Sequence, residues 1–570
     1  MKIKFATCIS CWIIFALTFD IVYSQNEDIP VGAASLAFVF DITGSMYDDL
    51  VQVIEGAEKI MAMTLARTIN PLYNYILVPF HDPDIGPVIV TRDPDEFILE
   101  LQDLYVHGGG DCPEMSIGAI KEALDTALPN SFIYVFTDAR SKDHVLTEDV
   151  LSLIQQKQSQ IVFVMTGDCG NHSSDGFLAY EKIASTSSGQ VFLLKKDQVN
   201  QVLDFVTLTV QAQKVNLMSV DSPKKDVNTY FIPVDNTLKE LTVSVSGVAP
   251  DIKLWAPNQE NQYSEHDGLR NLLDLKKVKI QNVRDPIPGK WKLQVSSNSS
   301  HTVRVRGLSS SNFFPSFSRS TSHDTSSTTL RPLKGIESSP IVNTTDIDPP
   351  AGLYRMEFID LQGEVLAEYP LIRNPLKDNI YTVSPLIPPY TFFYIKVTGV
   401  DDEGNTLQRL TPTAISAREA TRPVVHISDM TRGYYQATAF LTCEVISEVP
   451  FLVQWSRGGK LLGNLQEHRG SSNVTLEVPN ATEKSEGLYL CNATNKAGWR
   501  ATQTFLDVSE PPPSITPPKN VSVVPGDNGM LTCSVHSTVE FNISWYKVGR
   551  NSRIKSSKKF NILDNGSLII

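Results

Sequence analysis

Beyond its first two dozen residues the 570-residue chain has no apolar run of the roughly 20 residues a membrane-spanning helix needs. It has no excess of basic charge: 50 Lys and Arg face 63 Asp and Glu, a net charge of −13. That argues against a broad nucleic-acid surface, which displaces counterions with clustered Lys and Arg. No HExxH pair and no Ser-His-Asp arrangement appears. Cysteine is scarce, seven in all, with Cys8 and Cys11 in the N-terminal segment. None of the others (Cys112, Cys169, Cys443, Cys491, Cys533) lies in a CxxC pair, so zinc-finger and thioredoxin readings have no support.

What is present is ordinary globular composition, 41% hydrophobic and 20% charged. At roughly 100–200 residues per domain, about three to five domains are expected. The acidity serves solubility and is compatible with divalent cations. Residues 1–24 read as a signal peptide. Lys2 and Lys4 precede an apolar stretch from Phe5 to Leu17, and Val22 and Ser24 sit at −3 and −1 of a cut before Gln25. A secreted chain is therefore expected, in which disulfides persist. Sequons at Asn171, Asn298, Asn343, Asn473, Asn480, Asn492, Asn520, Asn542 and Asn565 are candidate glycosylation sites.

From 31 to 213, apolar runs alternate with helical periodicity. Ser35–Asp41 (SLAFVFD) predicts a buried strand, and Ser45–Arg67 a helix with Leu50, Ile54, Ala57 and Met61 on one face. Tyr75–Phe80 and Gly86–Thr91 predict an antiparallel pair. Ser131–Asp138, Gln160–Thr166 and Gln190–Leu194 predict three more strands, with helices near 94–104, 113–128, 143–157, 176–185 and 197–213. Six strands alternating with helices predict a doubly wound α/β domain over 31–213. Short alternating runs then predict β-sandwich domains over 214–306 and 333–419, separated by a Ser/Thr-rich linker at 307–332.

Residues 423–508 carry Cys443, Trp455 and Tyr489-Leu490-Cys491, the order of an immunoglobulin-like domain. In such a domain the two cysteines bridge the sheets, the Trp packs on the bridge and the Tyr forms a corner. Ser485 departs from the usual Asp before Gly487. The pattern restarts with Cys533 and Trp545, so 514–570 predicts a second, incomplete immunoglobulin-like domain. Cys533 has no second cysteine to meet, which predicts a piece of a longer protein with serial immunoglobulin domains. A free reactive thiol is the alternative.

In a doubly wound sheet, ligands bind beyond the carboxyl ends of strands, where strand order reverses. An order 3-2-1-4-5-6 puts that reversal between the strands ending in Asp41 and Asp138. Two carboxylates facing one crevice repel unless a cation lies between them. Thr43 and Ser45 add hydroxyls, and an all-oxygen set suits Mg2+ or Mn2+ rather than zinc. The alternative is that Asp41 caps the first helix.

Asp41-x-Thr43-Gly44-Ser45 after an apolar strand resembles the metal-ion-dependent adhesion site of von Willebrand factor A-type (VWA) domains. Phe136-Thr137-Asp138 is similar to its second acidic element. The resemblance implies a bound divalent ion, Mg2+ or else Mn2+ or Ca2+, with one position left for a partner's carboxylate. Ser116 stands where the family usually has Thr. Asp111 and Glu114, in the loop GGGDCPEMS, could coordinate through water or lower the net charge of the metal. Cys112 and Cys169 both fall in carboxyl-edge loops, and secretion favours their pairing.

The runs Phe38–Leu50, Gly108–Ser116 and Thr166–Gly170, with the order VWA, β domains, immunoglobulin repeats, resemble the hemicentin family. That resemblance implies an extracellular matrix adhesion protein of basement membranes and cell junctions, with further immunoglobulin, EGF and fibulin-type domains. The implied partners are matrix or cell-surface proteins. Two other readings compete: a receptor ectodomain, and a metal-dependent hydrolase with His107 or His144 as base.

Overall fold

The computed structural model describes residues 29–30, 32–65, 72–109, 112–211, 213–318, 328–519, 521–537, 539–546 and 553–570. The expected signal peptide, Asp111 and Asn520 lie outside the described residues.

Strand β1 (Ala34–Asp41) is buried at all eight positions, as a strand is when helices cover both faces of its sheet. It pairs in parallel with β2 (Leu72–Phe80) on one side and β4 (Phe132–Thr137) on the other. With antiparallel β3 (Ile89–Thr91) beyond β2, and β5 (Gln160–Met165) and β6 (Val191–Leu193) beyond β4, the order is β3-β2-β1-β4-β5-β6. The helices are α1 (Tyr47–Leu65), α2 (Pro94–Gln102), α3 (Ser116–Thr126), α4 (Thr147–Lys157), α5 (Asp175–Thr186) and α6 (Val199–Thr209). Successive β1 side chains alternate between two cores. Leu36, Phe38 and Phe40 meet α1, α2 and α6, and Ala37 and Val39 meet α3, α4 and α5.

Helix α3 starts at Ser116, later than the run from 113 suggests. Its first amides, Ile117 N and Gly118 N, donate to the Asp143 carboxylate at 3.0 and 2.6 Å. Glu114, just upstream, is extended and bridges to Ser141.

The next strands are β7 (Lys214–Ser222), β8 (Asp226–Val234), β9 (Glu240–Ser246), β10 (Asp251–Trp255), β11 (Leu269–Asp274), β12 (Val278–Arg284), β13 (Gly289–Ser297) and β14 (His301–Leu308). After them come β15 (Asn312–Ser318), β16 (Ser339–Thr345), β17 (Gly352–Ile359), β18 (Val365–Pro370), β19 (Ile372–Asn374), β20 (Lys377–Thr382), β21 (Tyr394–Val400) and β22 (Thr406–Leu410). One sheet, β11-β12-β9-β14-β7-β22-β21-β17-β18, runs through both expected sandwiches, joined where Leu410 pairs with Asn216. Sheet β10-β13-β8 belongs to the first sandwich, whose core holds Trp291, and β15-β16-β20-β19 to the second, whose core holds Phe358 and Phe393.

The stretch 307–332 is not simply a linker. It supplies β15, an edge strand whose Phe313 and Phe317 are buried in the second core. An edge strand tolerates Pro315, which cannot donate to a ladder.

Arg409 and Asp235 form a fully buried ion pair at 2.6 Å. The first sandwich also closes over the α/β domain. Leu273, Val278 and Ile280 join the core that contains α6. Carbonyls at the end of α5 receive donors from the β region: Arg304 Nε reaches Gly189 O at 3.1 Å, Arg306 Nη2 reaches Ser188 O at 2.5 Å, and Tyr394 Oη reaches Ser185 O at 2.5 Å. Cationic donors complement the negative end of a helix. Residues up to Arg418 form one compact unit and Glu419–Ile570 another.

In the second unit, β23 (Ala439–Arg457) is a long strand with a break between Ser447 and Phe451. Before the break it pairs with residues 424–426, and after it with β24 (Gly487–Asn495). A strand that bends at an irregularity in this way can serve two layers. Cys443 and Cys491 form a disulfide, with Cα atoms 6.7 Å apart, in a core shared with Trp455. Tyr489 Oη donates to Ser485 O at 2.9 Å, so the corner uses a backbone carbonyl and does not need Asp at 485. The described residues of 514–570 form strands of two or three residues, and Cys533 is a free thiol. Among the described residues no helix is long and apolar enough to cross a membrane.

Candidate metal centre

Asp41 ends β1 with no solvent exposure. Its Oδ1 accepts from Thr43 N at 3.0 Å and Thr43 Oγ1 at 2.7 Å, and its Oδ2 accepts from Thr137 Oγ1 at 2.7 Å. Its acceptors thus serve its own loop and β4, not the amides of α1. Thr43 Oγ1 lies 3.2 Å from Ser45 Oγ. The glycine loop packs directly on this turn: Gly44 N donates to Gly108 O, and a Cβ on Gly109 would lie 3.4 Å from Thr43 Cβ. Gly109 also has φ +87°, a conformation costly for other residues. Burial pushes the Asp41 carboxyl above its ordinary range. Its hydrogen bonds to Thr43 and Thr137 oppose that shift, and the negative charge of Asp138 reinforces it.

Asp138 follows β4 directly, with its side chain 18% exposed. Lys196, at the start of a short 3-10 helix after β6, has Nζ 3.6 Å from Asp138 Oδ2 and 2.8 Å from Asp49 Oδ2. It also donates to Ser45 O. Asp49 is buried in the first turn of α1; burial raises its carboxyl and Lys196 lowers it.

Ser116 heads α3 and is buried, its Oγ 2.6 Å from Tyr180 Oη. The Tyr180 hydroxyl also donates to Ala139 O at 3.2 Å. Burial, aided by the charges of Asp41, Asp143 and Glu114, pushes this phenol far up, so it stays a donor. With the Tyr180 proton directed to Ala139, Ser116 donates to Tyr180 and keeps lone pairs for another partner. Glu114 is also buried, but its Oε2 accepts from Asp82 N at 2.7 Å, in the turn after β2.

Cys112 and Cys169 are disulfide-bonded, Cα atoms 5.8 Å apart, bracing two loops at this edge. His107 is exposed, with Nδ1 2.9 Å from Tyr105 O. His144 begins a short 3-10 helix.

Carboxylates and hydroxyls around a desolvated acid fit a hard divalent cation. Among the described residues no three or more His, Cys, Asp or Glu cluster as metal ligands, so the candidate set draws on the hydroxyls of Thr43, Ser45 and Ser116 beside its two acids. Sequence reasoning missed Thr137, Tyr180, Asp49 and Lys196. Only Thr137 had a signal, its place inside Phe-Thr-Asp.

Three family descriptions match the chain: von Willebrand factor A domain over residues 35–196, Hemicentin galactose-binding domain-like over 214–310, and Immunoglobulin I-set domain over 426–508. Hemicentin-1 of Mus musculus is 48% identical over 96% of this chain and 10% of its own length. Hemicentin-2 of Mus musculus is 42% identical over 90% of this chain and 10% of its own length. The von Willebrand factor A domain-containing protein 7 of Mus musculus is 32% identical over 58% of this chain and 38% of its own. The chain thus spans about a tenth of the hemicentins it matches. With an α/β VWA domain, a hemicentin-type β domain and an I-set domain in series, it belongs to the hemicentin family.

Proposed function

We propose that the chain is part of a secreted adhesion protein of the extracellular matrix whose VWA domain holds a divalent cation. The ligands are Asp41, Thr43, Ser45, Ser116 and Asp138, with Mg2+ as the ion and Mn2+ or Ca2+ as substitutes. The metal acts as a latch: an Asp or Glu of a matrix or cell-surface partner replaces a bound water. The β and immunoglobulin-like domains space and assemble the head in basement membranes and cell junctions. Family membership supports the matrix reading, and the observation carrying the cation reading is Asp41. A fully buried carboxylate, pushed toward protonation by burial and facing a second acid, is an arrangement that a cation relieves. Glu114, held by the Asp82 amide, acts as a support for the loop.

Titration of the full chain with Mg2+ by calorimetry, paired with thermal melting, tests the reading. The wild type binds saturably and melts higher with Mg2+, because a ligand that binds only the folded state stabilises it. Asp41→Ala loses both responses. An unresponsive wild type, or an Asp41→Ala that responds like it, refutes the cation. Adhesion is tested by capture of matrix proteins with and without EDTA, and EDTA-insensitive capture refutes the latch.

A further inference from the structure

The acidic wall of the metal centre carries a cation of its own. Lys196 reaches from the segment after β6 to three groups: the Asp49 carboxylate, the Asp138 carboxylate and the Ser45 carbonyl. Its position is fixed at the backbone too, because Gln52 Nε2 donates to Lys196 O. Asp138 and Ser45 belong to the proposed ligand set, and Asp49, 2% exposed, sits in the first turn of the adjoining helix. The ammonium therefore contacts the wall that a metal would contact from the crevice side.

We propose that Lys196 is a built-in counter-charge that weakens the hold on the cation and lets the loaded centre accept an acidic partner. This rests on the cation reading above. Asp41, Asp49 and Asp138 bring three negative charges and Lys196 one positive, so a divalent ion leaves the group neutral. A partner's carboxylate then meets a neutral centre. Without Lys196 the loaded centre stays anionic and repels that carboxylate, while the empty centre draws the metal more strongly.

Mg2+ calorimetry on the full chain compares wild type, Lys196→Met, Lys196→Arg and Lys196→Met/Asp49→Asn. Lys196→Met tightens Mg2+ by roughly tenfold or more, because a unit positive charge is removed beside the ligands. Lys196→Arg stays close to wild type, and the double variant returns toward it. In EDTA, Lys196→Met melts below wild type, and Mg2+ closes the gap. With Mn2+ in place of Mg2+, acetate is the carboxylate probe. It lowers the water-proton relaxation enhancement of wild type and has a weaker effect on Lys196→Met. A merely structural lysine would leave metal affinity unchanged or weaker on removal. That outcome, in a wild type that does bind Mg2+ and a variant that still melts cooperatively, overturns this inference and leaves the cation reading standing. A wild type that binds no Mg2+ overturns both.

Discussion

Replacing Arg409 with Met asks how strongly the two β-sandwiches are stapled together. The guanidinium is fully buried and makes two contacts to Asp235, Nη1 to Oδ2 at 2.6 Å and Nη2 to Oδ1 at 3.2 Å. Its remaining donors reach Ser311 O, Gln408 O, Thr237 Oγ1 and Ser309 Oγ. Arg409→Met leaves the buried Asp235 charge unpaired, a cost of about 3–5 kcal/mol. Asp235→Asn strands the guanidinium and is costly for the same reason. Removing both charges together leaves mainly the Ser311 and Gln408 carbonyls short of a donor, about 1–2 kcal/mol after the nearby hydroxyls rearrange. The double variant is thus expected to be more stable than either single one. Hydrogen exchange of β7 and β22 amides in the full chain reports this locally, since a chain of several domains has no single unfolding free energy. Additive costs, or single variants within about 1 kcal/mol of wild type, would refute the reasoning.

Gly189→Ala should abolish folding of the first unit or cost it more than about 3 kcal/mol, because the new Cβ would lie 1.7 Å from Ile161 O; secretion and melting of the full chain report it. Burial alone would raise the Asp401 carboxyl, but bonds from Asn236 N, Glu403 N, Asn405 N and Asn405 Nδ2 hold it below its usual range. Its stabilisation is complete above the ordinary Asp value of about 3.9 and is lost as pH falls through the lower folded value. Urea midpoints against pH should therefore fall less steeply in acid for Asp401→Asn. Glycopeptide mass spectrometry should find high occupancy at the exposed Asn171, Asn298, Asn473, Asn480, Asn542 and Asn565, and lower occupancy at Asn343 and Asn492, both half-buried within strands.

The α/β domain was legible because its strands are largely apolar runs, and two of them, β1 and β4, run straight into Asp41 and Asp138. Asp41 and Asp138 could be set opposite each other from strand order alone. The immunoglobulin-like domain was legible because Cys443, Trp455, Tyr489 and Cys491 have one chemistry in that order. Lys196 and Tyr180 were not. They reach the centre through packing of segments distant in sequence, and a half-exposed lysine or a core tyrosine leaves no periodic trace. The shared sheet was hidden for a related reason: the pairing of Asn216 with Leu410 joins residues far apart, and neither residue type announces it. Serine-rich composition likewise masked β15, whose Phe313 and Phe317 are its only buried hydrophobic side chains.

The packing of β11 and β12 on α6 decides where the chain may be cut. A fragment ending at residue 213 stops just before the next family match begins but uncovers α6. The core that α6 shares would lose Leu273, Val278 and Ile280, and Ser185, Ser188 and Gly189 would lose their donors from Arg304, Arg306 and Tyr394. Such a fragment would present a greasy face to solvent and report on aggregation as much as on metal. A fragment ending near Arg418 keeps every one of these contacts. The useful unit for testing the proposed cation site is therefore the whole first compact unit and not the VWA domain alone.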